Sequence, residues 1–281
     1  MKIVRFGSPG QERPGVVTAD GSVVDASSLL PDIFVGSDGL HALVHVTTRD
    51  LSLLPKIPGA ARLGVPIGNI GKIVGVGLNY REHARESKAP IPLEPIIFLK
   101  ANTAASGPND DVLLPIGSKK TDWEVELAVV IGKRAKNVPT ATALENVLGY
   151  CICNDVSERE HQLERGGQWT KGKSHDTFCP LGPWLVTKDE IPNPQALGLW
   201  CEVSGVRRQS SNTADMIFPV AECVSYISRF MTLNPGDIIT TGTPQGVGLG
   251  LTPQKYLVAG DTMRLGIEGL GEQFQHVREG G

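Results

Sequence analysis

The segment from residue 121 to residue 134 combines two glutamates with the pattern of an apolar strand. It reads TDWEVELAVVIGKR, and Glu124 and Glu126 lie two positions apart in it. Side chains at positions i and i+2 of a strand point to the same face, so the sequence predicts two neighbouring carboxylates. In a buried strand these like charges repel each other unless a cation lies between them. The alternative is an edge strand whose glutamates face solvent, and the motif alone favours that alternative.

A third carboxylate follows a second apolar run. The segment YCICNDVSERE predicts a strand that ends at Asn154 and Asp155. An aspartate at the end of a strand can reach the space that a neighbouring strand's glutamates face. Three carboxylates form a hard oxygen site that suits Mg²⁺, with Mn²⁺ and Ca²⁺ as alternatives. The residues of this hypothetical metal site are Glu124, Glu126 and Asp155.

A histidine and a glutamate lie three positions apart in the segment GVGLNYREHARES. The segment predicts a strand that runs into a helix, with Asn79 as the N-cap and with His83 and Glu86 on one helical face. A histidine oriented by a carboxylate can act as a general base towards water. A solvated surface pair is the commoner alternative for such a spacing. The Gly75-x-Gly77 pattern lacks the third glycine of a dinucleotide fingerprint, which argues against a Rossmann site.

Two glycine-rich segments add further polar groups. The segment from 164 to 183 carries Lys171 and Lys173, and one lysine there could neutralise an enolate oxygen, although such lysines are more often solvated. His175 follows in the same loop, and we expect it to face solvent. The segment GDIITTGTPQGVGLG, from 236 to 250, predicts a strand that ends in a Thr/Gly loop. Such a loop can bind a carboxylate, or it can be an ordinary turn.

Composition argues against several classes of partner. The chain has 281 residues with 27 basic and 30 acidic side chains, a net charge of −3, so we expect neither nucleic acid nor an anionic membrane as partner. No apolar run reaches the roughly 18 to 20 residues that span a bilayer, and the N-terminus does not resemble a signal peptide. The five cysteines lack C-x-x-C spacing and are expected to be packing residues in a reducing compartment. The expected location is the cytoplasm.

Short β-branched runs separated by glycine and proline predict an α+β fold dominated by strands. Residues 1–68 are expected to form a small N-terminal β module, with a hairpin that turns at Asp20 and Gly21. Residues 69–281 are expected to form the main, catalytic domain. Helical spacing of apolar residues appears at 142–150 and at 219–237.

The chain resembles the fumarylacetoacetate hydrolase family over about residues 70 to 280. Seven segments in the same order carry this resemblance, and their joint occurrence is specific where each segment alone is weak. It favours the metal-site interpretation of the glutamates over the edge strand. The segments are N-Y-x-x-H-x-x-E at 79–86, FLK at 98–100, E-x-E at 124–126, N-D-V-S-x-R-x-x-Q at 154–162, KGKSHDTFCPLGP at 171–183, QSSNTADMIF at 209–218 and GDIITTGTP at 236–244.

The resemblance implies a divalent-metal enzyme, usually a homodimer, built on a mixed β-sandwich roll. Members act on small β-diketo or 2-oxo acids by hydrolysis of a C–C bond, by decarboxylation or by isomerisation. Matching positions imply a water-activating pair on a lid helix, a lysine that stabilises the enolate, and residues that hold the 2-oxo acid end. By this match, His83 and Glu86 would be the water-activating pair, and Lys173 would be the lysine. Arg159, Gln162 and Thr243 would hold the 2-oxo acid end. The metal ligands would be Glu124, Glu126 and Asp155.

The leading expectation is a Mg²⁺-dependent hydrolase that cleaves a C–C bond of a 2,4-diketo acid of the acylpyruvate type. The segment from 154 to 187 also looks like bacterial proteins labelled ureidoglycolate lyase and like 2,4-diketo-3-deoxy-sugar-acid hydrolases, so a sugar-acid derivative is one expected substrate. Competing expectations are an oxaloacetate decarboxylase, a hydroxyheptadienedioate isomerase and a ureidoglycolate lyase. A protein that only binds a metal or a 2-oxo acid is a further alternative. His83, Glu86 and Lys173 argue against it, because binding alone needs no general base.

Overall fold

The computed structural model describes residues 1–30, 46, 50–59 and 61–280, and strands dominate it. The predicted α+β class is therefore confirmed. Its helices include α1 (Arg81–Glu86), α2 (Thr170–Lys173), α3 (Val220–Phe230) and a π-helical turn at Glu160–Glu164. The strands are β1 (Lys2–Phe6), β2 (Arg13–Val17), β3 (Val23–Asp25), β4 (Ile73–Gly77), β5 (Ile96–Lys100), β6 (Ala105–Ser106), β7 (Val112–Leu114), β8 (Thr121–Asp122), β9 (Val125–Ile131), β10 (Val147–Asn154), β11 (Ser157–Glu158), β12 (Cys179–Thr187), β13 (Gly198–Val203), β14 (Val206–Asn212), β15 (Ile238–Thr240), β16 (Thr262–Ile267) and β17 (Gly271–Glu279).

The described strands form three sheets, and the two larger sheets mix parallel and antiparallel pairs. The largest sheet has the order β3-β2-β1-β12-β10-β9-β15-β4-β5, with β6 paired to β12. A second sheet has the order β14-β13-β16-β17-β7, and β8 pairs with β11. Strands β16 and β17 pack against β9, β10 and β12, so the two large sheets enclose a common core. This is the mixed β-sandwich roll that the family resemblance implies.

Strand β9 lies in the middle of the largest sheet, between β10 and β15. All seven of its residues and all eight residues of β10 are buried. Strands covered on both faces are expected to be largely apolar, and the exceptions here are Glu126 in β9 and Asn154 at the end of β10. The edge-strand alternative for the glutamate segment is therefore wrong. The strand begins at Val125, so Glu124 lies one residue before it rather than within it.

The first strands extend the largest sheet. Strands β2 and β3 form the predicted hairpin, and Gly21 has a φ of 81° in its turn. Strand β1 pairs with β2 on one side and with β12 on the other. The boundary of an N-terminal module between residues 68 and 69 stays a prediction, and residues 31–45, 47–49 and 60 of that module lie outside the described residues.

The strand-to-helix segment has the predicted order, but its cap is different. Helix α1 follows β4, and Tyr80 rather than Asn79 occupies its N-cap. The Asn79 side chain is buried, donates to the carbonyl of Thr241 at 2.8 Å and accepts the N–H of Phe218 at 2.8 Å. The N-cap prediction is wrong because the Asn79 side chain forms its hydrogen bonds with these distant backbone groups instead of with the first turn of α1. Asn79 thereby ties the start of α1 to the loop after β15.

The two other helix predictions hold only in part. Residues Thr140–Asn146 form a 3₁₀ helix, and strand β10 already begins at Val147. Helix α3 ends at Phe230, several residues before the predicted stop.

Among the described residues no helix is long and apolar enough to cross a bilayer. All five cysteines are free and buried, as expected of packing residues.

Candidate active site

The register between β9 and β10 brings the three predicted carboxylates together. Cys153 pairs with Glu126 and Asn154 pairs with Val125. The backbone N–H of Asp155 donates to the carbonyl of Glu124 at 2.9 Å, which continues the same register past the strand ends. One carboxylate oxygen from each of Glu124, Glu126 and Asp155 lies within 4.8 Å of the others, and all three residues are buried. The structure therefore joins the E-x-E motif to Asp155.

Lys173 supplies a positive charge to this cluster. Its Nζ, at the end of helix α2, donates to Glu124 Oε2 at 2.6 Å and to Asp155 Oδ2 at 2.7 Å. Burial disfavours the charged ammonium, but Asp155 and Glu124 outweigh burial and raise the pKa of Lys173. Lys171 instead is exposed and donates to the carbonyl of Arg165. Of the two lysines that the sequence offers, Lys173 is the one that reaches the site.

Arg159 links the cluster to a carboxylate that the sequence analysis did not assign. Its Nη2 lies 2.7 Å from Glu124 Oε1 and 2.8 Å from Asp122 Oδ2. Its Nη1 donates to Gln162 Oε1 at 3.1 Å. Asp122 is fully buried and also accepts the backbone N–H of Gly248 at 2.6 Å. Asp122 precedes Glu124 by two positions, so the alternation that marks the two glutamates could have identified it.

Lys100 is a second site residue that the sequence analysis did not assign. It ends strand β5, and its Nζ donates to Asp155 Oδ1, with both side chains buried. The signal was present, because Lys100 is the charged residue at the end of the otherwise apolar strand IIFLK. Asp155 therefore accepts from two lysines, Lys100 on one oxygen and Lys173 on the other.

The three carboxylates differ in how well their charges are neutralised. Burial raises the pKa of Glu124, but Lys173 and Arg159 outweigh burial and lower that pKa to about 2. Burial, followed by the charges of Asp155 and Glu124, raises the pKa of Glu126 well above its ordinary value. The oxygen Oε2 of Glu126 accepts the backbone N–H of Gly242 at 2.7 Å. Glu126 is thus the carboxylate whose charge most needs a further cation.

A divalent cation fits this group of residues. Carboxylate oxygens are hard ligands, and an ion bound at about 2.1–2.6 Å places its ligand atoms no more than about 4–5 Å apart. The oxygens of the cluster lie within 4.8 Å of one another and meet this condition. Across the part of the chain that the structure describes, no other three His, Cys, Asp or Glu side chains come together in this way. Mg²⁺, Mn²⁺ and Ca²⁺ all favour such donors.

His83 and Glu86 form the predicted pair on helix α1. His83 Nδ1 lies 3.2 Å from Glu86 Oε2, and Glu86 Oε1 accepts the backbone N–H of Gly246 at 2.9 Å. His83 is 8% exposed, so the alternative of a solvated surface pair is wrong. A Cβ on Gly250 would lie 2.3 Å from Glu86 Cδ, so the absence of a side chain there lets Glu86 approach the loop. Glu86 therefore fixes both the histidine ring and the position of α1.

Nearly all the site residues that the resemblance implied line one cavity of about 240 Å³. Glu86 does not line it and lies behind His83. Thr243 lines it and is held by its Oγ1, which donates to the carbonyl of Val125 at 3.0 Å and accepts from Gln209 at 2.8 Å. The predicted residues that line the cavity are His83, Glu124, Glu126, Asp155, Arg159, Gln162, Lys173 and Thr243.

His175 lies outside this cavity, and the prediction that it faces solvent holds only in part. It is half-buried, and its Nε2 lies 2.9 Å from Nδ1 of His161. Burial, followed by the charge of His161, lowers the pKa of His175. The two histidines come together because α2 packs against the π-helical turn that carries His161.

One cavity thus contains a buried carboxylate cluster, a lysine, an arginine and the histidine of a His–Glu pair. This combination is typical of an enzyme that uses acid–base chemistry beside a metal site with oxygen ligands. The family model described as fumarylacetoacetate (FAA) hydrolase C-terminal matches residues 72–278. The chain belongs to the fumarylacetoacetate hydrolase family.

Relatives of known sequence or structure cover almost the whole chain. A Burkholderia multivorans protein whose name suggests a hydrolase is 54% identical over 279 residues, 99% of each chain. The crystal structure of 2-hydroxyhepta-2,4-diene-1,7-dioate isomerase from Mycobacterium marinum is 37% identical, with a TM-score of 0.79 over 100% of this chain and 99% of that one. The crystal structure of maleylpyruvate hydrolase from Sphingobium sp. SYK-6, in complex with manganese(II) ion and pyruvate, is 32% identical, with a TM-score of 0.83 over 100% of both chains. The family thus includes both hydrolases and isomerases.

Proposed function

We propose that this protein is a divalent-metal-dependent hydrolase that cleaves a C–C bond of a 2,4-diketo acid of the acylpyruvate type. The observation that carries the proposal is the shared cavity of His83, Lys173 and the three carboxylates. A site for binding alone would not need a buried histidine oriented by Glu86. The similarity to a maleylpyruvate hydrolase that contains manganese and pyruvate supports the same reaction class.

Glu124, Glu126 and Asp155 would hold the metal ion. When bound, Mg²⁺ or Mn²⁺ acts as a Lewis acid that polarises the ketone of the 2-oxo acid. Arg159, Gln162 and Thr243 line the same cavity and would hold the 2-oxo carboxylate end in place. The homodimer and the cytoplasmic location stay predictions.

His83 would activate the attacking water. Its Nδ1 faces Glu86, so Nε2 is the ring nitrogen available to take the proton. The hydroxide adds to the C4 carbonyl, the C3–C4 bond breaks, and its electron pair passes to the C2–C3 enolate of pyruvate. The Lys173 ammonium stabilises that enolate. His83 returns the proton to C3, so one water is consumed for each pyruvate and carboxylic acid formed.

Isomerisation is the second candidate, because the chain is also similar to a 2-hydroxyhepta-2,4-diene-1,7-dioate isomerase. Such a reaction moves protons on a dienol and consumes no water. Decarboxylation of a 2-oxo acid would instead release carbon dioxide.

The products of one substrate separate these reactions. With 2,4-dioxohexanoate and Mn²⁺-loaded protein, we expect loss of the enol absorbance together with pyruvate and propanoate in equal amounts. Both acids are measured by nuclear magnetic resonance, and a sample without protein is the control. Carbon dioxide in place of propanoate, or a tautomer that keeps all six carbons, would contradict hydrolysis.

A further inference from the structure

The cavity has an apolar side next to its carboxylate side. Phe98 and Trp169 line it with their rings, whose centroids lie 5.5 Å apart and whose planes are inclined by 53°. We call these two residues the aromatic wall. Leu163 and Leu249 line the cavity as well. The proposed reaction uses none of these four side chains.

Two glycines of strand β4 make room for the aromatic wall. A Cβ on Gly75 would lie 2.2 Å from Phe98 Cζ, and a Cβ on Gly77 would lie 2.3 Å from Trp169 Cζ3. Any side chain at these positions would therefore displace a ring. Gly75 and Gly77 lie two positions apart and point to one face of the strand. The Gly-x-Gly pattern, which carries no dinucleotide site, is explained by the seating of these two rings.

The aromatic wall begins at the reacting end of the cavity. Lys173 Nζ lies 5.0 Å from the centroid of the Phe98 ring, and the same Nζ contacts Glu124 and Asp155. A ligand whose enolate reaches Lys173 would therefore lie beside Phe98, and Trp169 packs against that ring. Leu78 also lines the cavity, with a φ of 50°. That left-handed conformation is strained for a bulky side chain, and Leu78 adds a further apolar residue to the cavity lining.

The cations of the site are already paired with its own carboxylates. Lys100 pairs with Asp155, Lys173 with Asp155 and Glu124, and Arg159 with Glu124. Apart from His83, Arg159 and Lys173 are the only basic side chains among the described residues that line the cavity. The proposed function also assigns Arg159 and Lys173 to the 2-oxo acid end of the substrate. A second carboxylate, or several hydroxyls, placed against the aromatic wall would therefore lose water without gaining a charged partner. Such burial is unfavourable.

We propose that the aromatic wall selects substrates whose distal group, the group on C4, is neutral and apolar. This inference rests on the proposed function and names the substrate class within it: a 2,4-diketo acid with an alkyl or aryl tail. It disfavours a dicarboxylate and also the polyhydroxylated tail of a sugar acid. Phe98 and Trp169 are then specificity-determining residues for the reaction.

Binding of uncleavable 2-oxo acids of equal length tests this proposal without turnover. The probes are 2-oxohexanoate, 2-oxoadipate and 3-deoxy-2-oxogluconate, whose six-carbon chains carry a methyl, a carboxylate and hydroxyl groups at the distal end. Pyruvate, which has no tail, is the reference. Calorimetry on the Mn²⁺-loaded protein gives each dissociation constant. We expect 2-oxohexanoate to bind about tenfold more tightly than 2-oxoadipate or 3-deoxy-2-oxogluconate.

Two variants locate the source of this preference. Trp169→Ala is expected to weaken the binding of 2-oxohexanoate about tenfold and to leave the dissociation constant of pyruvate unchanged. Leu163→Arg adds a cation to the cavity lining, where Leu163 is 44% exposed, and is expected to strengthen the binding of 2-oxoadipate roughly fivefold. The matched control is Leu144→Arg, because Leu144 is 36% exposed and does not line the cavity. This control is expected to leave the dissociation constants of all four ligands unchanged.

The outcomes separate the inference from the proposed function. If pyruvate binds and 2-oxoadipate or 3-deoxy-2-oxogluconate binds most tightly, the inference is wrong and the proposed function stands. Equal effects of Leu163→Arg and Leu144→Arg on 2-oxoadipate would also overturn the inference. If pyruvate itself does not bind to the Mn²⁺-loaded protein, the proposed function fails, and the inference fails with it.

Discussion

Replacing Glu126 with glutamine is expected to lower kcat by about 10³-fold, because a metal-assisted step loses several kcal/mol of transition-state stabilisation when the ion is lost. The amide keeps the volume of the side chain but removes the charge that binds the ion. Burial and the charges of Asp155 and Glu124 raise the pKa of Glu126, so its ionised form is unfavourable in the metal-free protein. We therefore expect the metal-free variant to melt no lower than the metal-free parent.

The measurement is the Tm of both proteins with and without Mn²⁺, together with kcat on 2,4-dioxohexanoate. A ligand that binds only the folded state raises the Tm, so the parent should gain stability from Mn²⁺ and Glu126→Gln should not. The matched control is Glu158→Gln, because Glu158 is also buried but accepts from Thr121 and lies outside the cluster. An equal Mn²⁺ gain in Glu126→Gln and in the parent would show that Glu126 is not a ligand.

Replacing His83 with alanine is expected to lower kcat by about 10² to 10⁴-fold, the range that a general base contributes. The carboxylate cluster does not depend on the His83 side chain, so binding of oxalate to the Mn²⁺-loaded variant should stay within about twofold of the parent. Steady-state kinetics and calorimetry with oxalate separate these two effects.

The control for His83 is a change on the same helix that leaves the pair intact. Glu82 is exposed and pairs with Arg85, so Glu82→Gln should leave kcat unchanged. If oxalate affinity falls in parallel with kcat in His83→Ala, the histidine acts in binding rather than in water activation.

Sequence periodicity predicts which residues share a face, and this raised the metal-site hypothesis, although only the family resemblance favoured it over an edge strand. The spacing of Glu124 and Glu126 and the position of Asp155 after an apolar run predict neighbouring carboxylates if their strands pair. The register of β9 and β10 provides that pairing. The family resemblance added His83 and Lys173, for which local spacing alone favoured a solvent-exposed position.

The remaining features depend on contacts between distant parts of the chain, which local patterns do not contain. Asn79 has the residue type of an N-cap, but its partners Phe218 and Thr241 lie 139 and 162 positions away. The pair Gly75-x-Gly77 lacks the third glycine of a dinucleotide fingerprint, and local sequence gives it no other role until the rings of Phe98 and Trp169 are placed over it. In both places a small residue makes a contact with a distant part of the chain. Its residue type alone would have indicated a local role, such as a helix cap or a tight turn.

Dependence of product formation on the metal tests the central claim most directly. Protein stripped with a chelator is incubated with 2,4-dioxohexanoate, and pyruvate is measured as Mn²⁺ is added back. We expect no pyruvate before the addition and a rate that rises to saturation near one Mn²⁺ per chain. A full rate of pyruvate formation in the stripped protein, unchanged by Mn²⁺, would contradict a reaction that depends on an ion held by Glu124, Glu126 and Asp155.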